Sequence, residues 1–166
     1  MRKLILSAAA LALAMAAGSA AQAQNRHIGD AKSPISSAVF VPAGSDMLYV
    51  SGLTPSPIAP PAPGAKPDFG DTETQVRSIL GKIEATLKAE GFTLGDVVMM
   101  RIVLVGDPAK GGVMDREGMM KAYLEKFGTA EQPNKPARIT TQIAGLGGIM
   151  AEIEVQAAKK PAPMKK

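Results

Sequence analysis

One arginine and two glutamates toward the C-terminal end carry the most usable chemistry in this sequence. In KPARITTQIAGLGGIMAEIEVQA, Lys135 to Ala157, Arg138 opens one β-type run, and Glu152 and Glu154 sit inside the next. A guanidinium offers a carboxylate two parallel, charge-assisted hydrogen bonds, a geometry that lysine cannot reproduce. A carboxylate such as Glu152 can orient or deprotonate a water, assistance of roughly 10²–10⁴-fold in typical enzymes. Thr140 shares the strand face of Arg138 and adds a hydroxyl. Two readings of Arg138 stand: a strand-end ion pair, worth at most about 1 kcal/mol if exposed, or a seat for an anionic ligand. Glu152 fits a solvated or interface carboxylate as well as a catalytic one.

Other chemistries find little support. The chain has no cysteine, so thiol nucleophiles, thiolate metal sites and disulfides are excluded. The single histidine, His27, lies in a polar segment near the N-terminus, where a frayed side chain is expected. Neither a Ser-His-Asp triad nor a histidine-based zinc site has a good candidate. Tyr49 and Tyr123 read as packing residues.

The ends of the chain set its context. Met1-Arg2-Lys3, an apolar run from Leu4 to Ala17 and the small-residue sequence Ala21-Gln22-Ala23 have the form of a secretory signal over residues 1–23. That run is shorter than the ~20 residues a good spanning helix wants, so an exported, soluble and most plausibly periplasmic protein with no lasting membrane anchor is expected. The formal charge of +4 is a property of the ends. Setting aside Arg2, Lys3, Lys159, Lys160, Lys165 and Lys166 leaves 13 basic against 15 acidic residues, a body charge of −2. A folded basic surface for nucleic acid is therefore not expected. Residues 159–166 read as a disordered basic tail.

Between the ends, the elements must position Arg138 and Glu152. Residues 24–33 read as a flexible lead-in to a single domain over 34–158. Ala38–Val41 and Met47–Ser51 are short β-type runs, and six prolines between Leu53 and Gly70 predict an extended loop over 53–70. Thr72 and Gln75 have capping-box spacing, and Val76, Ile79, Leu80, Ile83 and Leu87 mark one helix face that ends near Gly91. Val97–Val105 is apolar except for Arg101 and predicts a central strand covered on both faces. Asp115–Phe127 predicts a second helix with Met119, Met120, Tyr123, Leu124 and Phe127 buried. The last two strands read as a hairpin about Gly147-Gly148. The order β-β-α-β-α-β-β implies an α+β fold, a single mixed sheet with two helices on one face.

Taken together, MLYVSGLTP, the helix TETQVRSILGKIEATLKAEGFTLGDVV, the strand MMRIVLV, MMKAYLEKFG and PARITTQIAGLGGIMAEIEVQA resemble the RidA (YjgF) family, from about Ser33 to Ala158. The resemblance implies a chorismate-mutase-like fold, a homotrimer with ligand clefts between subunits, and cofactor-free hydrolysis of small imino or enamino acids to 2-keto acids and ammonia. Arg138 matches the arginine of the family's PAR signature and Glu152 the glutamate of its final strand; Ser51 and Gly52 match its SG pair. Ile35 stands where the family has an aromatic residue, Thr140 where a cysteine is usual, and Met120 where an asparagine is usual. All seven are expected at the ligand.

Geometry constrains that expectation. If Leu146 pairs with Ile149, Glu152 faces Ile143, five residues from Arg138, on the order of 17 Å along the strand. Either the register differs, or one site joins residues of different subunits; the cleft implied by the resemblance favours the latter. Two functions compete: a hydrolytic deaminase of small carboxylate-bearing imino acids, and a non-catalytic trimeric module that holds small carboxylates. The three departures favour the second. Ribonuclease chemistry fits poorly, for want of a basic folded surface and a well-placed histidine.

Overall fold

A computed structural model describes residues 24–161. The expected signal, residues 1–23, and the end of the basic tail, residues 162–166, lie outside it. Eight principal elements follow in order: β1 (Arg26–Ile28), β2 (Ala38–Phe40), β3 (Asp46–Leu53), α1 (Thr72–Ala89), β4 (Val97–Val105), α2 (Arg116–Leu124), β5 (Ala137–Ile143) and β6 (Ala151–Lys159).

The main sheet has the order β3-β6-β4-β5, and β1 pairs with β2 in a separate two-stranded sheet. The β4–β5 pair is parallel, whereas β3–β6 and β4–β6 are antiparallel. The sheet is thus mixed, as expected. The last hairpin is not. Leu146 does bridge to Ile149 across the glycine turn, but β4 lies between β5 and β6. A parallel β4–β5 pair needs a crossover, and α2 supplies it. The expected facing of Glu152 by Ile143 gives way to a register in which Glu152 pairs with Val103, itself opposite Thr141.

Both helices cover one face. Val76, Ile79, Leu80, Ile83 and Leu87 of α1 and Met119 and Tyr123 of α2 join Met100, Ile102, Leu104, Ala151, Ile153 and Val155 in one buried cluster. The alternation expected in β6 holds, with Ala151, Ile153, Val155 and Ala157 all buried. In α2, Leu124 departs from the expected stripe and is exposed, because the helix ends there at a cap on Glu125.

Local signals explain the helix ends. Asp71, rather than Thr72, caps α1, its carboxylate accepting from Thr74 N at 2.8 Å. Those bonds to Thr74 hold the Asp71 carboxyl below its usual range. Gln75 instead joins α1 to the turn before β6: its Nε2 donates to Gly70 O at 2.9 Å, and its Oε1 accepts from Met150 N at 2.7 Å. Past the helix, Gly91 takes the left-handed conformation expected of it, φ 72°.

Three further expectations are corrected. The lead-in carries β1, and His27 is not frayed: its Nδ1 lies 2.7 Å from Lys135 O. Lys159 belongs to β6, where its Nζ donates to Gly91 O at 2.8 Å and lies 4.1 Å from the centre of the Phe92 ring. A cation there suits the carbonyl end of α1. Finally, β4 is central in its hydrogen bonding but covered within the chain on one face, since Arg101 is exposed and Met99 and Val103 are half-buried.

Candidate functional site

Strand register decides which face each candidate occupies. Arg138, Thr140 and Gln142 pair with the buried Met100, Ile102 and Leu104, so all three turn toward the helix layer. Ile139, between them, is 46% exposed on the open face. The polar rows of β5 and β6 therefore lie on opposite faces of one sheet. At this margin of the core a cation replaces an aliphatic side chain.

Arg138 stacks on α2. Its guanidinium carbon lies 4.3 Å from the centre of the Tyr123 ring, a cation–π distance. Nη2 lies 3.2 Å from Met120 Sδ and Nη1 lies 4.0 Å from Met119 Sδ. Thioether sulfur is a weak acceptor, so these contacts leave much of the donor capacity of the fork unused. Among the described residues no carboxylate forms an ion pair with Arg138. Burial pushes its pKa down, opposed by Tyr123 and reinforced by Arg116. Thr140 Oγ1, on the same face, is buried without a hydrogen-bond partner.

Tyr123 holds this cation in place. The ring is fully buried and lies 4.9 Å from that of Phe127, centre to centre, while its hydroxyl donates to Pro34 O at 2.9 Å. Burial pushes the phenol pKa up to about 12, so the hydroxyl remains a donor at physiological pH. Expecting a packing role for Tyr123 was half correct; its second role, carrying Arg138, was missed. The i,i+4 spacing of Tyr123 and Phe127 could have shown their shared face, but not the cation across from it.

Ile35 arrives beside the same strand. It is half-buried against the core, between Pro34, which accepts from Tyr123, and Ser36, which bridges to Ala137 at the start of β5. Met120, Thr140 and Ile35 thus sit on the Arg138 side of the sheet.

Glu152, Ser51 and Gly52 do not join them within one chain. Glu152 aligns with the half-buried Val103 on the open face. There Gly52, Arg101, Val103, Glu152 and Glu154 line a small cavity of about 80 Å³. The β3–β6 register shifts between Val50 and Leu53, so Ser51 and Gly52 together oppose Glu154 in a bulge. A Cβ on Gly52 would overlap the Glu152 carboxylate. Gly52 is thus the floor on which that carboxylate rests. Arg101 pairs with Glu154 and leaves Glu152 outside the ion pair. Tyr49, expected to pack, is 70% exposed on this face.

Comparison with known proteins gives the context of these two groups of residues. Residues 27–159 match the family model described as Endoribonuclease L-PSP. A RutC family protein of Pyrococcus horikoshii is 34% identical over 94 residues, 55% of this chain and 65% of that protein's length. The match therefore spans just under two-thirds of that relative. A Thermotoga maritima protein described as a candidate endoribonuclease superimposes with a TM-score of 0.53 at 26% identity, covering 82% of this chain and 98% of that one. Escherichia coli TdcF with bound serine superimposes with a TM-score of 0.52 at 23% identity, over 81% of this chain and 99% of that one. A Rid family protein from Yersinia pestis gives 0.53 at 22% identity, over 81% and 98% respectively. With the family model matching residues 27–159, the chain belongs to the Endoribonuclease L-PSP family, that of RidA and YjgF.

Proposed function

We propose that this protein hydrolyses small reactive 2-imino and 2-enamino acids of the 2-iminopropanoate type to 2-keto acids and ammonia, as a homotrimer in the periplasm. The observation that carries the reading is a desolvated guanidinium, seated on an aromatic ring and two thioethers, with no carboxylate partner among the described residues. Even a half-buried charge in such surroundings is costly unless an anion completes it, and a small carboxylate matches its two-pronged geometry. Serine, held in the TdcF crystal structure, is one molecule that carries such a group.

Hydrolysis then needs a water at the C=N carbon. Arg138 binds the substrate carboxylate, and Thr140 Oγ1 offers a hydrogen bond on the same side. A Glu152 carboxylate takes a proton from the water as its oxygen attacks that carbon. Glu152 returns that proton to the nitrogen, and collapse of the resulting amino alcohol expels ammonia and leaves the keto acid. Since Arg138 and Glu152 occupy opposite faces of their own sheet, the base comes from a second copy. Exposed Tyr49, Met47 and Ile139 give the open face apolar area for such a seam.

One observation favours the second reading, a carboxylate-binding module without turnover: the methionine and threonine beside Arg138 hold no ionisable group. The test is 2-iminopropanoate hydrolysis coupled to an imine-generating oxidase, with Arg138→Ala, Glu152→Gln and trimers reassembled from both. Each variant alone should be inactive and the mixture should recover a fraction of wild-type rate. Wild-type inactivity, with 2-ketobutyrate still raising the melting temperature, would leave the binding module. Recovery absent from verified mixed trimers of an active wild type would refute the shared site.

A further inference from the structure

The thioether of Met120 is the nearest acceptor that this chain offers to Arg138, with Sδ 3.2 Å from Nη2. Met119 presents a second sulfur at 4.0 Å from Nη1. The two differ in access, for Met119 is fully buried and Met120 is only partly so. Any opening that admits a small carboxylate to Arg138 also admits a small oxidant to Met120. A thioether is a poor acceptor, but its sulfoxide carries a polar S=O oxygen that bonds well to a charged donor.

We infer that Met120 is an oxidation-sensitive site, at which sulfoxide formation turns the Arg138 guanidinium away from its ligand and onto the oxidised side chain. The oxidant is a small peroxide. Its outer oxygen is transferred to a sulfur lone pair, the O–O bond breaks, sulfur loses two electrons, and the peroxide leaves as water or an alcohol. Sδ already lies 3.2 Å from Nη2, and after oxidation the flexible methionine stem can turn the new oxygen to hydrogen-bond distance of the fork. The fork then spends on an internal oxygen a bond it would give to a carboxylate. The same sulfoxide is open to reduction by methionine sulfoxide reductases, so the block is reversible. Its consequence for ligands rests on the carboxylate reading above, whereas the Arg138–sulfoxide contact does not.

The experiment treats full mature protein with graded hydrogen peroxide and maps oxygen uptake by peptide mass spectrometry. Free methionine added to each sample reports the dose. Two readouts are then taken on wild type and on Met120→Leu, a volume-conserving change: the guanidinium NMR signal of Arg138 without ligand, and the affinity for 2-ketobutyrate by calorimetry. Expected are a displaced Arg138 signal and an affinity loss of about ten-fold or more on oxidation of wild type, reflecting one charge-assisted bond. Sulfoxide reductase should reverse both, and neither should occur in Met120→Leu at equal oxidation of the added methionine. An Arg138 signal that stays in place while Met120 is oxidised, or moves equally in Met120→Leu, overturns the inference. If reduced wild type binds no keto acid, the carboxylate reading fails, and the Arg138 signal still decides this one.

Discussion

The two faces of the main sheet treat charge in opposite ways. On the helix side, Arg138 is surrounded by Tyr123, Met119 and Met120 and depends on stacking and weak sulfur contacts. On the open side, Arg101 meets Glu154 in an ordinary exposed ion pair, while Glu152 rests over the bare backbone of Gly52. The exposed pair adds little stability, because water screens it. The half-buried cation is desolvated, and no carboxylate among the described residues offsets that cost. That contrast is the basis on which the proposed ligand end of the site is placed at the β5 margin.

The largest effect expected is at Arg138. Truncation to alanine should weaken keto-acid binding by about 2–5 kcal/mol, roughly 30-fold or more, while leaving the fold intact. Arg138→Lys should recover only part of it, since the fork is lost. Equal affinities in a calorimetric titration of wild type and Arg138→Ala would erase the contrast between the faces.

Packing provides the next test. Ile102 and Ile139 are neighbours across the β4–β5 seam that point to opposite faces, one buried and the other 46% exposed. Ile102→Ala should cost about 2–5 kcal/mol in denaturant unfolding. Ile139→Ala should cost about 0.5 kcal/mol or less in a separated subunit and should instead raise the concentration needed to hold the proposed trimer together in sedimentation. Similar unfolding costs for both would mean that the open face is packed within the chain.

Gly52→Ala sharpens the comparison at the carboxylate end. The added methyl overlaps Glu152, so turnover should fall roughly 10²-fold, the scale of lost general-base assistance. Keto-acid affinity should change little. A mutant that keeps its rate would detach Glu152 from the chemistry.

The smallest effect belongs to Asp71. Replacement by alanine should cost about 0.5–2 kcal/mol at neutral pH, the range for a lost N-cap. Since its folded pKa is lowered by the Thr74 bonds, the contribution is complete above the usual value near 3.8 and is lost as pH falls through the lower, folded one. Acid titration of stability should bring wild type and Asp71→Ala together there; a constant gap would point to another cause.

How much of this was legible beforehand varied with the range of the interactions. The α1 stripe and the alternation of β6 are local periodicities and reappear in the structure residue for residue. The hairpin was misread because the glycine turn is local while the β4 insertion is not; the apolar, parallel-type run of β4 was the available hint. His27 and Lys159 were assigned to loose ends, yet each is held by main-chain carbonyls distant in sequence, Lys135 O and Gly91 O. Arg138 was found by residue type, but its Tyr123 platform comes from another element. Gly52 was noticed as half of an SG pair, while its role is the room it leaves for Glu152.

Tyr123 joins two distant parts of the molecule. Its hydroxyl anchors the Pro34 carbonyl and its ring bears the Arg138 guanidinium, so residues 33–36 and the cation share one post. Filling the site would steady that post, and the N-terminal segment should exchange its amide hydrogens more slowly, although no ligand atom need touch it.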